Sequence, residues 1–559
     1  MRVVDHIVEF LSAIGVSHIF GVDGANIEDL YDAAHFHADM TAVLAKHEFS
    51  AATMADGYSR GGGGLGVLAA TSGGGALNTV PGLAEALASR VPVLAVIGQP
   101  PTTLEGRGAF QDTSGRNGAM DARDLFASVS VFCHRVTTPA DIVAALRSAV
   151  AAARELRGPA VLLLPKDIQQ SSIPATDRDR GDGAAAPRSA DPHPIAHALR
   201  RAAGPVTIIA GEQVARDDAR DELEELRALL RARVATVPDA KDVAGTPGRG
   251  SSSALGVTGV MGHPGVASAL TGSALCLLIG TRMNVTASAG LDDALASVPV
   301  FSLGCASPYR PCAHVHTDDL RRSLATLVVA LSGEGRPERL RVPATLPHTE
   351  LQTPVHTGPG VRYRDAMLAF DDLLPAGVDI VVDAGNTGAA AIHHLPARRD
   401  GRFVVALGMG GMGYSFGAAI GVALARGSHV VVIAGDGSFY MHGMEIHTAR
   451  QYRLPITFCL FDNHAHAMCV TREQIFYGAR YSYNRFGESR LGAGLQAMFP
   501  GLPATDVTDI AGLRAALSAA LETDGPAVIS IDCSADEIPP FTAFLAHPPR
   551  PEGTHRHDT

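Results

Sequence analysis

Short, uninterrupted apolar runs separated by helical patterns are the feature that most restricts how this chain can fold. Residues 65–71 and 91–98 are such runs, with a helix between them; 206–210, 275–280 and 298–303 follow, and then 380–383, 403–407, 430–434, 456–461 and 527–531. A strand apolar on both faces needs cover on both faces, and helices between successive strands supply it. The pattern therefore predicts an α/β protein built of parallel sheets. Two stretches break the pattern: residues 173–193 and 333–358 are rich in turn formers, lack apolar periodicity and read as linkers. They divide the chain into three tandem doubly wound parallel-sheet domains, 1–172, 190–335 and 356–545, with a tail at 546–559. Ligands of such sheets bind at the carboxyl ends of the strands, so the loops there carry the functional candidates.

Composition removes several classes of partner. Apolar residues make up 46% of the 559, enough for several buried cores, and the net charge of −11 comes without a basic block, so no nucleic-acid partner is expected. The longest apolar runs, such as 430–434, fall far short of the roughly 20 residues of a membrane span. The opening Met1-Arg-Val-Val-Asp-His lacks the apolar core of a signal peptide, which together with seven scattered cysteines and no C-x-x-C pair suggests a cytoplasmic protein without a disulfide framework.

Two motifs carry chemistry. Gly408-Met-Gly410-Gly-Met412-Gly413 follows a strand and precedes a helical pattern over 414–425, with Asp436 lying 23 positions beyond Gly413. Alone, it reads either as a dinucleotide fingerprint or as glycines that let helix and sheet pack closely. The second motif is longer. Gly435-Asp436-Gly437-Ser438 closes one apolar strand, and Asp462-Asn463 closes the next, Asn463 standing 27 residues after Asp436. One β-α-β crossover spans that interval and brings Asp436 and Asn463 to the same sheet edge. A carboxylate and a carboxamide oxygen beside backbone carbonyls suit Mg²⁺. Gly435 and Gly437 bare the backbone, so N–H groups and the Ser438 hydroxyl can meet phosphate at a helix N-terminus. In the first block, Glu48 heads a helix rich in small residues, behind the apolar Val43-Leu44-Ala45. It reads as a buried carboxyl able to hold or exchange a proton, or as a solvated charge favoured at a helix start.

These residues resemble the thiamine-diphosphate enzymes of the acetolactate synthase, benzaldehyde lyase and 2-oxoacid decarboxylase superfamily. The likeness covers nearly the whole chain: Ile19-Phe-Gly-Val-Asp-Gly-Ala-Asn26, His47-Glu48, Thr71-Ser-Gly-Gly-Gly-Ala-Leu-Asn78, Gly108-Ala-Phe-Gln111, the 408–413 loop and residues 435–463. It implies pyrimidine-binding, central and diphosphate-binding domains in that order, with thiamine diphosphate and Mg²⁺ as cofactors. Glu48 matches the glutamate that protonates the cofactor's aminopyrimidine, Met412 the wedge that folds the two rings together, and the Gly410 carbonyl the acceptor of the exocyclic amine. Asp436, Asn463 and the Ala465 carbonyl match the Mg²⁺ ligands; Gly435, Gly437, Ser438, Asn386 and Thr387 match the diphosphate cradle. In the family Glu48 and the diphosphate site meet across a subunit interface, so a homodimer or homotetramer with shared active sites is implied.

Other positions keep two readings. Gln111 matches a glutamine reaching the neighbouring active site, or is a surface amide. Asn26 falls where benzaldehyde lyase has a catalytic histidine, or caps the helix that follows it. His464 and His466 flank the metal strand, and His466 reads as a candidate acid/base toward substrate oxygen or as a structural histidine. Met468 and Cys469 match pocket walls. The chain reads Gly280-Thr-Arg-Met-Asn-Val-Thr286 where acetolactate synthase has a substrate-selecting arginine, and the chain has no Trp to match that enzyme's acceptor gate. The central domain shows no positive signal for FAD. The implied activity is a carboligase or lyase acting on a 2-oxoacid (pyruvate-like) or 2-hydroxyketone donor and a second carbonyl acceptor. A decarboxylase that does not ligate, a non-catalytic paralogue and a Rossmann-type oxidoreductase are the alternatives.

Overall fold

The computed structural model describes residues 1–173, 188–245, 254–333, 349–397 and 400–546; most of both linkers and all but the first residue of the tail lie outside them. Three six-stranded parallel sheets follow one another. The first holds β1 (His18–Val22), β2 (Thr41–Leu44), β3 (Gly66–Ala70), β4 (Val93–Gln99), β5 (Phe132–Arg135) and β6 (Pro159–Pro165), in the spatial order β2-β1-β3-β4-β6-β5. The second holds β7 (Val206–Ala210), β8 (Arg233–Thr236), β9 (Ala254–Val257), β10 (Leu275–Ile279), β11 (Val300–Gly304) and β12 (Ala313–His316), in the order β12-β11-β10-β7-β8-β9. The third holds β13 (Asp379–Val382), β14 (Phe403–Val405), β15 (Val430–Gly435), β16 (Ile456–Asp462), β17 (Ala504–Val507) and β18 (Ala527–Asp532), in the order β14-β13-β15-β16-β18-β17. The first and third sheets thus share one topology, and the central one differs. Among the described residues no helix is long and apolar enough to cross a membrane.

The apolar runs became strands because every residue of β3, β4, β6, β7, β10 and β16 is buried, which demands side chains that tolerate burial on both faces. Two expected boundaries move. The 403–407 strand stops at Val405, and the helical stretch before Gln451 is two helices, Asp436–His442 and Glu445–Gln451. Between them Gly443 packs so closely on Phe439 that a Cβ there would collide with the ring. The reading of 408–413 as a dinucleotide fingerprint also falls away. The loop follows β14, an edge strand, whereas that fingerprint needs the strand beside the reversal of strand order.

Two helices hold the first and third domains together. In Glu48–Arg60, Phe49 through Tyr58 are all buried; in Tyr414–Arg426, so are Tyr414 through Ala423. A helix buried all round has no solvent face, and these two cover each other. Contact this close requires residues without side chains. A Cβ on Gly421 would collide with the Met54 carbonyl, one on Gly57 with the Ala418 carbonyl, and one on Gly417 with Thr53 and Ser50. One apolar core accordingly runs from Phe20 and Val43 through both helices to Val432 and Phe458, while the central domain has a separate core. Gly421→Val should force the helix axes apart, cost about 3 kcal/mol or more, and lower the melting temperature. Gly427→Ala, at the helix end, gives the comparison: a Cβ there has open space, and only its φ of +63° opposes it.

Candidate active site

At the carboxyl edge of the third sheet, adjacent strands each deliver a carboxylate. β13 is followed by Asp383, β15 by Asp436, and β16 ends in Asp462 with Asn463 next. Parallel pairing in register, with Gly435 opposite Phe461, brings Asp436 level with Asp462, and Asn463 lies one residue beyond. Asp436 is 1% exposed; its Oδ1 takes the N–H of Gly437 at 2.9 Å, and its Oδ2 has no hydrogen-bond partner. Ligand atoms of Asp436, Asp462 and His464 lie within 4.8 Å of one another. Burial, reinforced by the Asp462 carboxylate, pushes the Asp436 carboxyl up to about 7. Facing carboxylates in a buried site are a donor set for a hard cation. Asn463 is buried beside the Tyr363 hydroxyl. An isolated bridge pairs Ala465 with Arg485 through the neighbouring His464 and His466 backbone groups, so the Ala465 carbonyl is not used in it.

Around that edge stand the groups expected to take a diphosphate and a ring. Asn386 and Thr387, both buried, open the helix Asn386–His394, whose N-terminus is favourable ground for an anion. Asn386 Nδ2 donates to Thr471 Oγ1 at 3.0 Å, and its Oδ1 has no partner. Gly437 is needed for closeness: a Cβ there would come 2.6 Å from His466 Nδ1 and 3.2 Å from Met412 Cε. The wedge, the histidine and the glycine expected from sequence therefore meet at one point. His466 presents its ring edge to Phe486 at 4.7 Å, and its Nδ1 is buried without a partner. His464 Nδ1 stands 3.0 Å from Asp462 Oδ1, and neither atom has a hydrogen-bond partner. Met468 is half-buried in the helix Ala467–Tyr477, and Gly410, with φ +65°, sits on the exposed crest of the loop.

The first sheet's carboxyl edge holds the other group of candidates. Glu48 is half-buried rather than enclosed; its Oε2 accepts from Asn78 Nδ2 at 3.0 Å, and Gly75 makes room, since a Cβ there would lie 2.9 Å from Oε1. Asn26 does not cap a helix. The following helix Glu28–His35 starts from Ile27, and Asn26 is instead buried with Nδ2 donating to Ser72 Oγ at 2.7 Å. Its N–H donates to Thr71 Oγ1 at 3.2 Å, and Thr71 Oγ1 in turn bonds Gln111 Oε1 at 3.2 Å. Gln111 is therefore part of this cluster rather than a free surface amide. It has φ +59°, beside Phe110, which is 76% exposed.

Sequence reasoning missed Asp383, although it closes an apolar strand as Asp436 does. It is 1% exposed and accepts from Gly413 N–H (2.9 Å), Ser415 N–H (2.9 Å) and Ser438 Oγ (2.7 Å). One carboxylate thus joins the 408–413 loop to the Gly435–Ser438 turn. Asn78 and Ser72, the partners of Glu48 and Asn26, were also missed as site residues.

Facing buried carboxylates beside a helix N-terminus, at the carboxyl ends of parallel strands, mark the place where α/β enzymes hold phosphate-bearing ligands. Three family profiles match this chain, the thiamine pyrophosphate enzyme N-terminal TPP binding domain over residues 1–119, the central domain over 193–299 and the C-terminal TPP binding domain over 383–531. The chain belongs to the thiamine pyrophosphate enzymes, and it is a thiamine-diphosphate-dependent enzyme that forms or cleaves carbon–carbon bonds. Among its relatives, a probable acetolactate synthase large subunit of Methanocaldococcus jannaschii is 29% identical over 518 residues, covering 88% of this chain and 85% of its own. The acetolactate synthase isozyme 2 large subunit of Escherichia coli is 27% identical, covering 95% of each chain, and the chloroplastic acetolactate synthase of Arabidopsis thaliana is 28% identical, covering 95% of this chain and 81% of its own.

Removing Asp383 should expose how much the site depends on it. Asp383→Ala strands three buried donors at about 1–3 kcal/mol each, so a loss of at least about 3 kcal/mol is expected. Ser438→Ala, which removes one of those bonds, should cost about 1 kcal/mol. Thermal unfolding of both variants beside the parent protein checks the order.

Proposed function

We propose that this enzyme is an acetolactate-synthase-like carboligase that joins a unit from a 2-oxoacid donor to a second carbonyl compound, with Mg²⁺ holding the coenzyme's diphosphate. The observation that carries the reading is the convergence of Met412 and His466 on Gly437, directly beside Asp436, whose buried Oδ2 is without a partner. That oxygen, facing the Asp462 carboxylate, is what a divalent cation would satisfy, and Asp436, Asn463 and the Ala465 carbonyl would hold it. Gly435, Gly437, Ser438, Asn386 and Thr387 would take the diphosphate.

Thiamine diphosphate, when bound, supplies a nucleophilic carbon and an electron sink for the carbonyl it attacks. The chain's own residues do the rest. Glu48 would hold a proton toward the coenzyme's aminopyrimidine, the Gly410 carbonyl would accept from its amine, and Met412 would pack against its rings. His466, with its uncommitted Nδ1, delivers or removes a proton at substrate oxygen, while Gln111 and Asn26 orient the carbonyl partners and Met468 walls the pocket.

Glu48 and Asp436 find their polar partners within different domains, Asn78 for one and Gly437 for the other, and apolar side chains flank both. Leu77 (41% exposed) and Phe110 neighbour the first cluster, and Met409 (58%), Tyr440 (49%) and Met441 (49%) the second. Such flanks favour a homodimer or homotetramer in which one chain's Glu48 serves its partner's diphosphate site. A flavin has no part in this reading.

The test combines substrate and cofactor. With pyruvate-like 2-oxoacids and a panel of aldehydes and ketones, mass spectrometry should find ligated 2-hydroxyketones or 2-hydroxy-3-oxoacids; aldehyde alone would support the decarboxylase. Glu48→Gln should lower turnover by roughly 10²–10⁴-fold while cofactor binding stays within about threefold. Asp436→Ala should abolish Mg²⁺-dependent quenching of tyrosine fluorescence by thiamine diphosphate. Retention of that quenching would remove Asp436 from the cation site.

A further inference from the structure

The loop that carries Gly410 and Met412 is held from another domain. Glu85, 3% exposed in the first-domain helix Gly74–Ala88, accepts from the N–H of Gly408 through Oε1 at 3.2 Å and from that of Met409 through Oε2 at 2.5 Å. The same carboxylate accepts from Ser89 Oγ at 2.6 Å and lies 3.4 Å from Arg60 Nη2. Arg60, also buried, donates to Asp56 at 2.7 Å and to the carbonyl of Val405, the last residue of β14, at 3.4 Å. Asp56 in turn accepts from the hydroxyl of Tyr414, the first residue after the loop. First-domain carboxylates therefore hold the chain on both sides of the loop's crest, which is exposed at Gly410, where a Cβ would meet nothing within 4 Å.

An exposed run of glycines has wide conformational freedom, and ordering it costs more than ordering any other sequence. Bonds from adjacent amides to one buried carboxylate are charge-assisted and directional, and so restrict that freedom strongly. We propose that Glu85 is a positioning residue: by fixing the amides of Gly408 and Met409 it sets the place of the Gly410 carbonyl and the Met412 side chain, and with them the affinity for thiamine diphosphate. Glu85 touches neither coenzyme nor substrate. The inference rests on the cofactor roles proposed above for Gly410 and Met412.

The test uses two variants of the full-length protein. Glu85→Gln keeps the size and removes one acceptor. Gly408→Ala leaves every charge in place but puts a Cβ 2.7 Å from Ala88 Cβ and 3.1 Å from both Glu85 oxygens, which pushes the loop off its anchor and decides the matter where Glu85→Gln does not fold. In protein freed of cofactor, amide exchange at 408 and 409 should quicken at least tenfold in either variant, with the helix Tyr414–Arg426 unchanged. Thiamine diphosphate affinity at saturating Mg²⁺ should fall tenfold or more, and Glu85→Asp should recover part of both effects. Unchanged exchange at 408 and 409, or faster exchange with undiminished affinity, overturns the proposal alone. Failure of the unaltered protein to bind thiamine diphosphate overturns the functional reading and this proposal with it.

Discussion

The backbone-to-backbone crossing of the helices Glu48–Arg60 and Tyr414–Arg426 is the constraint on which the rest depends. Gly57, Gly417 and Gly421 bring two main chains into contact, so neither domain can shift against the other without opening a void or a collision. Each helix also has a functional end. Glu48 begins the first, and the second begins where the 408–413 loop stops. A rigid crossing therefore fixes the Glu48 carboxyl and the 408–413 loop relative to one frame. This explains why small residues fill helices that a purely structural core would pack with larger side chains.

Strands buried in the middle of their sheets were legible because burial on both faces leaves an unbroken apolar run, as in β4 and β16. Several strands at or near the sheet edges were not, although the edge strand β14 was. β2 and β12 expose residues at both ends, and β5 is only half-buried along its length, so burial does not force an apolar run there. β6 is fully buried yet starts and ends in Pro, which reads locally as a turn boundary. Local chemistry misled at Asn26 in the same way: an Asn before a helical pattern signals a cap, but the buried Ser72 hydroxyl from β3's loop offers it a better partner.

The site was legible where its parts sit close in sequence. Gly435-Asp436-Gly437-Ser438 and Asp462-Asn463 announce themselves by closing apolar strands. What stayed hidden is whatever acts across long separations. Glu85 lies more than 300 residues from the amides it holds, and Asp383 about 30 from Gly413 and 55 from Ser438. No window of sequence shows such a bond, because the acceptor and donors become neighbours only after the sheets have formed and the domains have docked.

The shared topology of the first and third sheets shows how one architecture was given two chemical tasks. Corresponding strand ends differ in charge. After β3 come the neutral Thr71 and Ser72, where after β15 comes Asp436; β4 ends in the neutral Gln99, where β16 ends in Asp462. The difference is one of burial as well as charge: Asp23 follows β1 as Asp383 follows β13, but Asp23 is exposed and Asp383 is buried. Buried carboxylates that face one another repel unless a proton or a cation neutralises them, and burial beside Asp462 accordingly raises the Asp436 carboxyl to about 7.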